Sequence, residues 1–328
     1  MSIIKVEHLC KQFKVRERPA GFWRGLGGLF SRTHHIIQAV DDVNFTLQRG
    51  DMVGYIGANG AGKSTTIKML TGILVPTSGK IDVMGLTPYQ HRRQYTRRIG
   101  VVFGQRTQLW WDLPVMDSFE LLKHIYEIPE RTYKQNLAFF SELLQLDCLT
   151  SMPVRTLSLG ERMRCDLTAA LLHNPEILYL DEPTIGLDVV AKEQVRQFLQ
   201  RVNAERQVTV ILTTHDLNDV EKICQRLLII DTGRIIYDGG IDALKQRYGR
   251  TRMLIVDLAR AYSKIQIENV DVIRREGNRI WLAFDRDTIS ASEVITRVTA
   301  HYEIQDLTIS EPEIEEIVRK IYQSGMTD

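Results

Sequence analysis

Two alternating textures fill the first 240 residues: short unbroken apolar runs, and longer stretches with apolar positions three or four apart. The runs Asp51 to Ile56, Ile177 to Leu180 and Val208 to Thr214 show no polar alternation. That is the pattern of strands buried on both faces, and Ile177 to Leu180 is expected to be a central parallel strand. Helical spacing is expected from Thr65 to Leu70, from Asp117 to about Gln145 with a break near Pro129, from Leu157 through Leu172, and from Val190 to Asn203. Further strands are expected at residues 3–13, 38–48, 80–84 and 97–103. Leu227 to Asp231 and Arg234 to Gly239 should form a hairpin about Thr232-Gly233. Beyond about Lys245 the texture changes. Strand-like runs at 252–258, 279–285 and 303–309 mix with helical patterns near 292–301 and 312–323. The expected division is therefore a large domain over 1–244 and a small α+β module over 245–328.

Composition narrows the function classes. The 328 residues carry 42 basic and 41 acidic side chains, net +1, which argues against a dedicated nucleic-acid binder. Cys10, Cys148, Cys165 and Cys224 form no CxxC pair, as expected of reduced thiols in a cytoplasmic protein. The chain opens directly on a strand-like segment with no signal-peptide pattern. No apolar run approaches the ~20 residues that span a bilayer.

The chemistry begins at Gly57-Ala58-Asn59-Gly60-Ala61-Gly62-Lys63-Ser64, between a buried strand and a helix that starts with Thr65. In that setting glycines let backbone N–H groups curl about an anion, and the helix N-terminus adds its dipole. Lys63 can reach the β- and γ-phosphates, and the Ser64 hydroxyl can ligate Mg²⁺. Asp181-Glu182 ends an apolar strand, where one acid can hold Mg²⁺ and its neighbour can orient water. A lone histidine is more often a core residue than a catalyst, and the place of His215 after another strand end raises the odds that it faces the same phosphates. Ser158, with Glu161 three residues on, reads as a helix N-cap with a capping box. Phe13 is open to two readings, a ring stacking on a purine or a core or edge phenylalanine. Between Glu17 and Arg32, Phe22, Trp23, Leu26, Leu29 and Phe30 alternate with arginines and glycines. Such a segment suits a membrane interface or partner contact, or equally a surface loop folded onto its own domain.

Taken together, these motifs resemble the ATP-binding cassette (ABC) family over about residues 3–240. The signature, here Leu157-Ser158-Leu159-Gly160-Glu161, lies between Gln105 at the Q-loop position and Asp181-Glu182 at the Walker B end. Gly186-Leu187-Asp188 falls at the D-loop, His215 at the switch histidine and Phe13 at the adenine-stacking aromatic. The resemblance implies an α/β P-loop NTPase cassette with a mostly parallel core sheet, an antiparallel edge subdomain and a helical signature subdomain over about 106–174. The aromatic insertion would occupy about 16–37, and the C-terminal module would follow.

It also implies ATP and Mg²⁺ as cofactors. Gly57 to Thr65 would hold the phosphates of one ATP, Ser158 and Gly160 would serve the nucleotide of a second copy or a paralogous cassette, and Asp188 would belong to the nucleotide site at the D-loop. Ser64, Gln105 and Asp181 would hold the metal; Glu182, His215, Lys63 and Gln105 would carry catalysis. Leu159 departs from the glycine common at its position, so its side chain should point away from the sandwiched nucleotide. A single cassette with a C-terminal module is similar to ATPase subunits of two-component exporters. A separate integral permease would then be a partner, at the cytoplasmic face of the membrane, met near Trp110-Trp111 and the insertion. The alternative is a soluble single-cassette ABC ATPase in a non-transport or cofactor-assembly role. The transported substrate is not written in these residues.

Overall fold

The protein is described by a computed structural model over residues 2–16, 34–104, 106–310 and 314–324. The chain divides into two units, 1–238 and 239–328. The division thus falls between Asp238 and Gly239, not at 244/245.

The first unit is built on a sheet whose order is β5 (Ile99–Phe103), β6 (Ile177–Asp181), β7 (Thr209–Thr213), β3 (Met52–Gly57), β8 (Arg226–Asp231) and β9 (Arg234–Gly240). The first five run parallel. β6 and β7 are buried almost end to end and β3 through Ile56, the reason their sequences lack alternation. β8 and β9 are joined through Thr232 and Gly233, both at positive φ, as the expected hairpin requires.

A second, antiparallel sheet has the order β2 (His34–Gln48), β1 (Ser2–Arg16) and β4 (Ser78–Val83). Its ladder continues to Arg16 opposite His34, so residues 34–37 belong to a strand and not to the expected 16–37 insertion. Residues 17–33, where that expectation otherwise falls, lie outside the described ones.

Helices α1 (Lys63–Leu70), α3 (Val115–Ile125), α4 (Glu130–Leu144), α5 (Leu159–Leu171) and α6 (Val189–Arg206) match the expected stretches, with the α3–α4 break just before Pro129. Two were not anticipated: α2 (Arg92–Thr96) and α7 (Leu217–Ile223). Each is too short to display a period.

The second unit holds α8 (Ile241–Tyr248), which the sequence did not announce, and β10 (Thr251–Leu258), β11 (Asp271–Glu276) and β12 (Arg279–Asp285). It continues through α9 (Ala291–His301), β13 (Ile304–Ser310) and α10 (Ile314–Ser324). The strands form one antiparallel sheet in the order β11-β12-β10-β13. Leu254, Val256, Leu258, Ile280, Leu282 and Phe284 meet Val294 and Val298 of α9 in a core of their own. Helix α8 packs against α10 within this unit, which is why the division precedes it.

Candidate functional site

β3 delivers the chain to the glycine-rich loop at the carboxyl edge of the parallel sheet, and α1 leaves from it. Gly62 caps α1 at φ 109°, and a Cβ there would meet the Ala39 carbonyl oxygen at 2.5 Å. Only glycine allows both the dihedral and the approach. Lys63 is 7 % exposed, and its ammonium donates to the carbonyls of Gly57 (2.7 Å) and Ala58 (3.1 Å). Burial pulls its pKa below the usual value, while the carboxylates of Glu182 and Asp181 push the other way. A cation held in this way at a helix N-terminus is suited to phosphate oxygens.

A cleft of about 400 Å³ brings together Asn59, Gly60, Gly62, Lys63, Ser64, Thr65, Glu182 and His215, with Ala39 and Ile185. Of the proposed phosphate-loop residues, Ala61 faces inward: it is buried and its carbonyl accepts from the Gly233 N–H. Gly57 and Ala58 contribute the carbonyls that seat Lys63. Ala39 and Ile185 were not anticipated. Ala39 arrives only through the pairing of β2, and Ile185 through the turn after β6, and neither carries a chemical signal in the sequence.

Glu182 sits at φ 57°, in the left-handed region that a glutamate adopts only at a cost of ~1–3 kcal/mol. Three contacts hold it there. Its N–H donates to the Thr213 carbonyl at 2.9 Å, and its Oε2 lies 2.7 Å from His215 Nδ1. Gly104, which donates its N–H to Asp181 O, lies so close that a Cβ on it would be 2.0 Å from the Glu182 carbonyl oxygen. Asp181 itself accepts from the Thr213 hydroxyl at 2.5 Å, tying β6 to β7 beside the cleft. These oxygen groups, with Ser64, suit a hard cation such as Mg²⁺, which prefers carboxylate, hydroxyl and phosphate oxygen. Among the described residues no cluster of three or more His, Cys, Asp or Glu forms a metal site by itself. Gln105 lies outside the described residues.

Ser158 caps α5 with the full capping box: Glu161 N–H to Ser158 Oγ at 3.3 Å, and Ser158 N–H to Glu161 Oε2 at 2.8 Å. Hydrogen bonding to the Ser158 N–H first, and to the Ser158 side chain second, holds the Glu161 carboxyl below its ordinary pKa. Ser158 remains exposed, and neither it nor Gly160 lines the cleft. Leu159 instead packs toward Gly186, with its Cδ2 2.9 Å from where a Gly186 Cβ would stand. Asp188 caps α6 through the Ala191 N–H at 2.8 Å. Phe13 is 37 % exposed, with the Lys11 ammonium 5.3 Å from its ring centre; it is no core residue.

The family described as ABC transporter matches residues 40–185. The ABC transporter ATP-binding protein NatA of Bacillus subtilis is 30% identical over 215 residues, 66% of this chain and 87% of that protein. The methionine import ATP-binding protein MetN 2 of Enterococcus faecalis is 30% identical over 245 residues, 74% of this chain and 66% of that protein. Among solved structures, the dimeric structure of MJ0796, a bacterial ABC transporter cassette, superposes with a TM-score of 0.61 at 25% identity. That match covers 73% of this chain and 98% of the cassette. The chain belongs to the ABC transporter family, as an ATP-binding subunit that hydrolyses ATP.

Proposed function

We propose that two copies, or this chain and a paralogous cassette, pair head to tail about two ATP molecules, and that the cycle of pairing and hydrolysis drives a separate membrane permease in export. The observation that carries the catalytic part is the 2.7 Å pair of Glu182 and His215 at the mouth of the Lys63 cleft. In this reading Lys63 and the loop N–H groups from Asn59 to Thr65 hold the phosphates, and Phe13 offers its exposed ring to adenine. Glu182 orients and polarises the attacking water, and His215 contacts the γ-phosphate as charge develops. Mg²⁺ would be held by Ser64, Asp181 and Gln105, where it neutralises charge between the phosphates. Ser158 and Gly160 stand outside their own chain's cleft, which supports their service to a partner's nucleotide.

A permease partner at the cytoplasmic face is supported by exposed Trp110, Trp111, Leu113, Leu121 and Ile125 on the helical subdomain. Among the described residues no helix is long and apolar enough to cross a membrane. The layout of one cassette with a C-terminal module supports export, whereas the resemblance to a methionine import subunit favours the opposite direction. ATP-dependent accumulation in inside-out vesicles of the chain with its permease marks export, and accumulation only in right-side-out vesicles marks import.

The catalytic assignment is tested by Glu182→Gln. Turnover should fall by at least about a hundredfold, as expected for loss of general-base and electrostatic assistance, while ATP binding persists and an ATP-bound dimer accumulates. A variant with parental turnover would remove Glu182 from this role.

A further inference from the structure

We propose that Asp166 is a positioning residue that braces the signature helix α5 against the segment 107–111, so that Ser158 and Gly160 are presented correctly to the partner's nucleotide. This rests on the paired-cassette reading above and deepens it.

Asp166 lies eight residues into α5 from the Ser158 cap, roughly 12 Å along the axis at 1.5 Å per residue. It is 4 % exposed, an expensive place for a carboxylate. Among the described residues no cation pairs with it at salt-bridge distance, and the Arg162 charge acts on it only weakly. Instead Asp166 Oδ1 accepts from the Thr107 hydroxyl at 2.8 Å and from the Gln108 N–H at 3.1 Å, and the Gln108 side-chain amide donates to the Asp166 carbonyl at 3.0 Å. Burial pushes this carboxyl up to about 6, with the two bonds to Oδ1 and the Arg162 charge opposing.

The bracing extends further along the segment. Thr107 Oγ1 also takes the Leu109 N–H at 3.1 Å, and the Trp110 N–H donates to Ser118 Oγ of α3 at 3.1 Å. Arg162, one turn before Asp166 on α5, sets its guanidinium 5.8 Å from the ring centre of Trp111. Segment 107–111 begins three residues after Gly104, whose N–H is bonded at the Walker B end, and finishes at the exposed tryptophans. A displacement at Trp110-Trp111 is thereby passed to α5 through polar bonds that Thr107, Gln108 and Asp166 make jointly. A buried polar cluster of this kind fixes one arrangement more strictly than apolar packing of the same volume.

The test uses the full chain in the Glu182→Gln background, reading ATP binding to the monomer and the ATP-driven dimer separately. Asp166→Ala removes the acceptor and should weaken dimerisation at least tenfold while leaving monomer ATP affinity within twofold. Asp166→Asn keeps an oxygen at the Oδ1 position and should restore dimerisation to within about threefold. Thr107→Val, which leaves the α5 core intact, should reproduce part of the loss if Asp166→Ala does not fold. In chains with native Glu182, Asp166→Ala should lower kcat at saturating ATP more than it alters the ATP affinity of the monomer. Parental dimerisation in both Asp166→Ala and Thr107→Val would overturn the brace, as would equal loss of ATP binding and dimerisation. If the Glu182→Gln parent forms no ATP-dependent dimer, the paired-cassette reading itself falls, and the brace falls with it.

Discussion

His173 shows at the residue scale how burial sets a pH dependence. Its ring stacks on Tyr126 with centroids 4.0 Å apart, Nε2 lies 2.9 Å from the Ile99 carbonyl, and Nδ1 is buried with no hydrogen-bond partner among the described residues. Burial lowers its pKa to about 4, against the ordinary value of 6.5, with the bond to Ile99 opposing. The unfolded chain therefore binds more protons between these two values. The stability that the neutral ring supports is complete above pH 6.5 and is lost as pH falls toward 4. The loss amounts to about 3 kcal/mol over that window. Denaturant titrations at stepped pH should show this slope, and His173→Phe, which keeps the stack, should flatten it. An unchanged slope would mean that other groups carry it. Glu182 is the second residue-scale case. Its strained φ is maintained by Thr213 and Gly104, so the role proposed for Glu182 would depend on neighbours that perform no chemistry themselves.

At the scale of elements, α6 and α7 are joined by a buried ion pair. Arg196 Nε and Asp219 Oδ1 are 2.8 Å apart, and Asp219 is wholly buried. Lys192, on the same face of α6, reaches Asp216 at 2.5 Å, and Asp216 caps α7 immediately after His215. The pair thus holds the helix that follows His215. Arg196→Met would leave the buried Asp219 carboxylate with only Lys192, 3.9 Å from Oδ2, as a cation, a loss of up to about 3–5 kcal/mol. Chemical denaturation should show it as a lower midpoint at unchanged slope, whereas a cost under about 1 kcal/mol would mean that Asp219 finds another partner.

At the scale of the whole molecule, the two units have separate cores. A chain ending at Asp238 should fold, bind ATP and retain ATP-driven pairing in the Glu182→Gln form. Aggregation or loss of nucleotide binding in that shorter chain would show that the second unit is needed to complete the cassette. Residues 17–32 contain five large apolar or aromatic side chains and three arginines beside a single acid, a composition suited to a membrane interface. Their deletion should reduce co-purification with permease-containing membranes while sparing ATP turnover in solution. Equal recovery with and without them would remove the interfacial role.

Local rules were enough to read much of this protein. The unbroken apolar runs named the buried strands because both faces of a parallel sheet are covered. The Ser158–Glu161 spacing named a capping box because its two bonds close within one turn. The strand and helix on either side of the loop from Gly57 to Ser64 were legible because strand, glycines and helix are contiguous. What stayed hidden involved distance along the chain or shortness. Helices α2 and α7 are too short for a period, and α8 joins the second unit only through its packing on α10. Ala39 reaches the cleft through strand register, and Asp166 meets Thr107 across 59 residues. The sequence by itself determined which candidate residues stand at the strand ends and in the glycine-rich loop, since that is a matter of residue type and local spacing. Only the tertiary structure decided that Glu182 and His215 share a cleft with Lys63 while Ser158 does not, because that depends on how separate strand ends converge.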